Sequence, residues 1–210
     1  MRVFSKVGLA AALVAAAALV SPAPASADII LTLGNVGSID DDTITLDNGE
    51  TGTTILGDLE GGFTARFVGI ETLESQASGQ ARIESADGNG FNYLKFDLVG
   101  ADFTSLILNI DASAAGTADF FGRDTDGNLF SFLDTAVGTS GSFYTLQAIN
   151  GQRIAYLEFF SDVPIHFVDM GQFRVGGAQN SDIVVSPEPA SMLLFGTGIV
   201  ALVARRRSRR

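Results

Sequence analysis

Residues 93–98, YLKFDL, and residues 154–160, IAYLEFF, have the clearest strand pattern in the chain. In the first stretch Leu94, Phe96 and Leu98 alternate with polar or amphipathic residues. In the second, apolar residues alternate with positions that include Tyr156 and Glu158. A period of two is that of a β-strand with one buried face.

Similar stretches recur on both sides, separated by Gly, Asp, Asn and Ser. Strands are predicted at residues 29–33, 43–46, 63–68, 81–84, 93–98, 105–110, 118–122, 129–133, 143–146, 154–160 and 168–175. This spacing predicts an all-β, jelly-roll-like sandwich over residues 28–181. A short helix over residues 70–80 is an alternative that we do not favour.

Charge is distributed unevenly along the 210 residues, whose net charge is −11. Residues 28–187 hold 23 of the 24 acidic residues but only six of the 13 basic ones. Nothing in this region would neutralise a phosphate backbone, so we expect no nucleic-acid partner. The chain has no Cys, which excludes a thiol enzyme, a disulfide scaffold and a zinc site with Cys ligands.

Residues 1–27 have the organisation of a secretory signal peptide. Arg2 and Lys6 precede an uncharged apolar run over residues 7–20, and Ala25 and Ala27 supply the small residues that signal peptidase accepts. We predict cleavage after Ala27 and passage through the export machinery. A retained anchor helix is the alternative, but the apolar run is short for a hydrocarbon core of about 30 Å.

Residues 190–204, ASMLLFGTGIVALVA, are uncharged and predict a single transmembrane helix. Fifteen helical residues cover about 22 Å, a marginal span. The basic tail over residues 205–210 would lie in the cytoplasm, with the acidic domain outside. Residues 182–189 form a linker whose prolines separate this helix from the sandwich.

The C-terminus resembles the PEP-CTERM sorting signal, found in Gram-negative bacteria that make extracellular polysaccharide. The matching parts are the triad Pro187, Glu188 and Pro189, the apolar segment, and an arginine cluster that includes Arg205, Arg206 and Arg207. This resemblance implies recognition by exosortase, a membrane protease, after export across the inner membrane. It implies transient anchoring, then a place at the cell surface or outside the cell. An ordinary tail anchor is the alternative.

A loop at residues 124–128, DTDGN, is the best candidate metal site. Asp124, Asp126 and Asn128 are closely spaced oxygen ligands on a Gly turn, which suits Ca²⁺. The alternative is a hairpin turn, because Asp-Gly and Asn are also what a tight turn selects.

A second acidic cluster comprises Asp40, Asp41 and Asp42, followed by Asp47 and Asn48. It would suit calcium outside the cell, but such a run is more often a solvated loop.

Three further candidates concern catalysis. His166 is the only histidine, and we expect a loop or strand-edge position for it rather than a triad role. The carboxylate pairs Glu71 with Glu74 and Glu158 with Asp162 are arbitrary choices for glycoside hydrolysis among so many acids.

The sequence therefore predicts a non-enzymatic, exported protein with a structural or adhesive role in an extracellular polysaccharide matrix. A calcium-assisted, lectin-like carbohydrate-binding module is the alternative, with Tyr93, Tyr144 and Tyr156 as candidate sugar-stacking residues unless they lie in the core. An exported hydrolase is the third hypothesis.

Overall fold

The structure, a computed structural model, describes residues 27–36, 41–76, 81–166 and 173–181. These residues form fourteen β-strands and no helix. The strands are β1 (Ile29–Leu33), β2 (Asp41–Leu46), β3 (Thr51–Leu59), β4 (Thr64–Ser75), β5 (Ile83–Ser85), β6 (Phe91–Leu98), β7 (Ala101–Asp102), β8 (Ser105–Ala112), β9 (Gly116–Asp124), β10 (Leu129–Val137), β11 (Ser142–Ala148), β12 (Ile154–His166), β13 (Arg174–Gly176) and β14 (Gln179–Asn180).

The strands pair antiparallel in two layers. The first layer has the order β1-β11-β8-β13-β2. The second has the order β3-β4-β6-β12-β9-β10, with short strands at its margins. The predicted all-β, sandwich-like class is thus confirmed.

Aromatic rings from the two layers meet in the core. Phe173, just before β13, lies 4.8 Å from the ring of Phe67 on β4 and 6.1 Å from that of Phe96 on β6. Farther along, Phe120 of β9 lies 5.7 Å from Tyr144 of β11. All five side chains are buried, so the layers pack face to face around one hydrophobic core.

The two layers are joined on one side and open on the other. Strand β2 pairs with β13 of the first layer and with β3 of the second. The end of β12 also pairs with β8. Strand β1 ends the first layer and β10 ends the second, each with one partner strand in the described part of the chain.

Several predicted boundaries differ from the structure. Residues 70–75 belong to strand β4, so the helical alternative is wrong there. Strands β3, β7 and β14 were not predicted. The last predicted strand, residues 168–175, is described only from Phe173 onward, where β13 begins one residue later.

The predicted signal peptide, except Ala27, and the predicted transmembrane helix lie outside the described residues. In the described ranges, no helix has the length and apolar character needed to cross a membrane.

Candidate functional site

The sorting residues predicted from the sequence lie outside the described residues. They are Pro187, Glu188, Pro189 and Arg205–Arg207, and Ala25 of the predicted signal peptide also lies outside.

The predicted cleavage point, after Ala27, falls where the described chain begins. Ala27 packs against the edge of the core, and Asp28 is held in place directly after it. The Asp28 N–H donates to Gln152 Oε1, and its carbonyl accepts a 2.9 Å bond from the Ile149 N–H.

The candidate calcium loop forms the turn of the β9–β10 hairpin. Asp124 is buried, with 1% of its surface exposed. Its Oδ1 accepts a 2.7 Å bond from the Asn128 N–H, and its Oδ2 accepts a 2.8 Å bond from Asn128 Nδ2. Gly127 has φ +90°, which completes the turn. Both carboxylate oxygens of Asp124 therefore stabilise the turn. Calcium would have to replace these hydrogen bonds.

The second acidic cluster is spread along β2. Asp41 and Asp42 pair with β13 at the start of the strand, and Asp40 lies outside the described residues. Asp47 and Asn48 follow its end, where the hydroxyl of Ser75 donates to the Asp47 carbonyl. Within the described ranges, no three acidic or histidine side chains come together as a metal site.

The candidate catalytic residues are used structurally or are separated. The backbone of His166 ends β12, paired with Asp111 of β8. Glu71 and Glu74 lie three positions apart on β4, so strand alternation directs them to opposite faces. Asp162 accepts a 2.6 Å bond from the Thr117 N–H, a bond that joins β12 to β9.

The structure instead brings aromatic residues together on the outer surface of the second layer. We call this surface the aromatic face and define it by Tyr93, Phe121, Tyr156 and Phe160. Phe160 of β12 is 43% exposed. Its ring lies 4.8 Å from that of Tyr93 on β6 and 5.7 Å from that of Phe121 on β9. Three strands thus contribute rings to one continuous patch.

Strand register places charged groups among these rings, because residues paired across strands share a face. Glu158 of β12 is paired with Lys95 of β6 on one side and with Phe121 on the other. Lys95 Nζ lies 4.5 Å from the centre of the Tyr156 ring, a cation–π contact. The face therefore sets the carboxylate of Glu158 and the ammonium group of Lys95 side by side among apolar rings.

A pair of charges borders the face. Arg66 of β4 donates two 2.8 Å hydrogen bonds to the two carboxylate oxygens of Asp97 on β6. Asp97 is also the register partner of Tyr156. Hydrogen bonding to Asp97 and its negative charge raise the pKa of Arg66 above its ordinary value. This ion pair therefore lies next to Tyr156 at the border of the aromatic face.

A cavity of 360 Å³ opens on the same surface. Five of its lining residues, which lie on β9, β10 and β12, are Phe121, Leu129, Ser131, Tyr156 and Glu158. On the buried side of the same strands, Gly122 leaves room for the Phe130 ring, because a Cβ at this position would lie 2.2 Å from Phe130 Cζ. Glycine at this position thus permits close packing of Phe130 against β9.

The surroundings of the aromatic face change the pKa of Tyr93. Burial raises the pKa of Tyr93 above its ordinary value, and the negative charge of Glu158 raises it further, with a smaller contribution from Tyr156. The hydroxyl therefore stays protonated through neutral pH and can donate or accept a hydrogen bond.

Of the three tyrosines named from the sequence, Tyr93 and Tyr156 lie on the aromatic face and Tyr144 lies in the core. Tyr144 is 1% exposed, and its hydroxyl donates to the Ala136 carbonyl. Sequence reasoning missed Phe121 and Phe160. The alternation through Tyr156 and Glu158, extended by one step, points to Phe160.

Comparisons with known proteins address the end of the chain. A family model described as the PEP-CTERM protein-sorting motif matches residues 187–209. A search of curated proteins finds no match. One solved structure, described as "BiXyn10A CBM1 APO", is 15% identical over 65% of this chain and 99% of its own, with a TM-score of 0.14, which is too low to carry an argument.

The matched motif implies processing by exosortase and export to the cell surface or the exterior of a Gram-negative bacterium. It spans the Pro-Glu-Pro triad, the apolar segment and most of the arginine cluster. The C-terminal segment of this chain is therefore a PEP-CTERM protein-sorting motif.

Proposed function

We propose that this chain is a non-enzymatic adhesive protein of the cell surface or extracellular polysaccharide matrix, and that its aromatic face binds saccharide chains. We further propose that its sandwich is of the jelly-roll type. The chain crosses between layers from β6 through β8 to β9 and again from β10 through β11, β12 and β13, and this alternation supports that topology.

The arrangement of the aromatic face is the observation that carries the proposal. A sugar ring presents C–H groups on its flat surfaces and hydroxyls around its rim. Partly exposed rings such as Tyr156 and Phe160 suit the flat surfaces. Glu158 would accept hydrogen bonds from the hydroxyls, and Lys95 would donate to them. A strip of rings across three strands suits a polymer better than a single sugar.

A mechanism without catalysis follows from the same residues. Stacking and hydrogen bonding hold a saccharide at the surface without changing its covalent bonds. Retaining or inverting hydrolysis would need two carboxylates facing the same bond. Glu158 lies on this face between Lys95 and Phe121, whereas Asp162 is engaged with the Thr117 N–H.

Calcium-assisted binding through the Asp124 loop is the second candidate function. Its support is the closely spaced oxygen ligands of Asp124, Asp126 and Asn128. It differs from the first candidate in the expected effect of a chelator, because binding by the aromatic face needs no ion.

The test is a binding screen of residues 28–185 against a panel of bacterial polysaccharides, with calcium and with chelator. Tyr156→Ala should reduce binding, while Phe143→Ala should not. Phe143 is a matched control, because it is a half-buried aromatic residue on the opposite layer. Binding that vanishes in chelator but survives Tyr156→Ala would replace this proposal with the calcium alternative. No binding to any polysaccharide would contradict both.

A further inference from the structure

We propose that β1 is the surface through which two copies of this chain associate, strand against strand, around a two-fold axis at Leu31. The inference goes beyond saccharide binding, because β1 belongs to the first layer and the aromatic face to the second. It would give the matrix protein a second, self-associating contact.

Among the described residues, strand β1 is an edge with free hydrogen-bonding capacity. The Asp28 carbonyl accepts from the Ile149 N–H at 2.9 Å, and the Gly34 N–H donates to the Phe143 carbonyl at 2.7 Å. In an antiparallel pair, alternate residues bond to the same partner strand. The even-numbered residues therefore face β11, and the backbone groups of Ile29, Leu31 and Leu33 point away from the sheet.

This edge lacks the features that usually block pairing. Residues 29–33, IILTL, contain no charge and no proline, and their pairing with β11 has no bulge. The opposite edge, β10, is different. Its register breaks between Phe132 and Thr135, and Asp134 has φ +52° with its N–H bonded to Asp119 Oδ1 at 2.8 Å. Of these two edges, only β1 is a flat template.

An apolar groove runs beside this template. It has a volume of 470 Å³ and lies between the open edges of the two layers, lined by Leu31, Leu33, Phe132, Leu133 and others. Leu33 is 71% exposed and Leu133 59% exposed. A second copy of β1 would bring its own leucines over this groove and so extend the core across the interface.

A second copy fits better than another protein for two reasons. The strand is self-complementary about its centre, because antiparallel pairing at Leu31 sets Ile29 against Leu33 twice and forms about six hydrogen bonds. The region also holds 23 acidic and six basic residues, so two copies repel almost everywhere except at an uncharged edge. Salt should therefore strengthen the association.

The predicted signal cleavage favours this geometry as well. Cleavage after Ala27 leaves one residue, Asp28, before β1. No longer N-terminal segment then precedes the strand along the chain, so a second β1 can lie beside it.

The test uses single cysteines in residues 28–185, which contain every described strand and have no cysteine of their own. At the two-fold axis, Leu31→Cys places two Cα atoms about 5.5 Å apart. A disulfide accepts Cα separations of roughly 4.4–6.8 Å. Leu33→Cys is the matched control: it lies on the same side of the strand and its native side chain is more exposed, but its two copies would be roughly 14 Å apart.

We expect Leu31→Cys to give disulfide-linked dimer under mild oxidation, at least several-fold more than Leu33→Cys. Random collision would favour the more exposed Leu33→Cys, so a yield at that position equal to or above that of Leu31→Cys would overturn the proposal. A monomeric wild-type chain by light scattering at 0.5 M salt would also overturn it.

A second variant tests whether the dimer can be lost while the fold is kept. Leu33→Lys keeps an exposed side chain in solvent and adds a charge to the edge, so the fold should remain while the dimer is lost. Tyr156→Ala should leave the dimer intact. Failure of this proposal is thus distinguishable from failure of saccharide binding.

Discussion

Replacement of Arg153 by Met is expected to destabilise the domain where the sorting segment leaves it. The guanidinium of Arg153, just before β12, pairs with the carboxylate of Asp102 on β7. It also donates a 3.0 Å bond to the Asp102 carbonyl and another bond to the Gly177 carbonyl, just before β14. One side chain therefore fastens the last described strands to the sandwich.

The size of the expected loss of stability follows from the burial of the Asp102 carboxylate. The side chain of Asp102 is 5% exposed and that of Arg153 17% exposed, so neither ion is well hydrated. Without Arg153, the carboxylate of Asp102 stays buried without its partner, a change that typically costs about 3–5 kcal/mol. The bond to Gly177 lies in an exposed position, where water replaces the lost donor, so it adds little.

The assay is urea unfolding of residues 28–185, which contain the whole described core. With a slope of about 2 kcal/mol per molar urea, this loss lowers the midpoint by about 2 M. Arg123→Met is the control: Arg123 is exposed, and its loss should change stability by less than about 0.5 kcal/mol. A midpoint shift below about 0.5 M for Arg153→Met would refute the assignment of a buried ion pair.

Three further predictions concern the core, the aromatic face and the hairpin turn. Phe173→Ala should cost about 3–5 kcal/mol of unfolding free energy, because its buried ring joins the two layers; a loss near zero in calorimetry would contradict that packing. Glu158→Gln should lower the pKa of Tyr93, since the charge of Glu158 helps to raise it, and phenolate absorbance against a Tyr93→Phe reference measures the change. Because the folded-state pKa is raised, stability should fall as pH rises through it. Asp124→Ala should destabilise the domain by about 1–3 kcal/mol even in chelator, because the Asn128 donors lose a buried acceptor; a loss seen only when calcium is present would favour the ion site.

The parts of the fold that could be predicted are those in which side-chain alternation is strong. The period of two in residues 93–98 and 154–160 identified the strands that form the centre of the second layer. Strand β3 was missed because Gly52 and Gly57 interrupt its pattern. Gly52 lies at a register shift. A Cβ at Gly57 would lie 2.8 Å from Ile44 Cγ2, so glycine there permits close packing of β2 rather than a turn.

The candidate site was only partly predictable, because local sequence patterns do not specify which strands become neighbours in a sheet. Tyr156 and Tyr93 were named from the sequence, yet nothing local shows that β12 lies between β6 and β9. That order brings Phe121 and Phe160 beside them. Tyr144 alternates in much the same way but lies at a position of β11 that faces the core.

The most direct measurement of adhesive function is the affinity of residues 28–185 for the polysaccharide that binds best, compared between Tyr156→Ala and Phe143→Ala. Loss of the Tyr156 ring should weaken binding about tenfold or more, equivalent to about 1.4 kcal/mol, because it removes both a stacking surface and the partner of Lys95. Phe143→Ala should bind like the wild type. Equal affinities for all three proteins would contradict the assignment of the aromatic face as the binding surface.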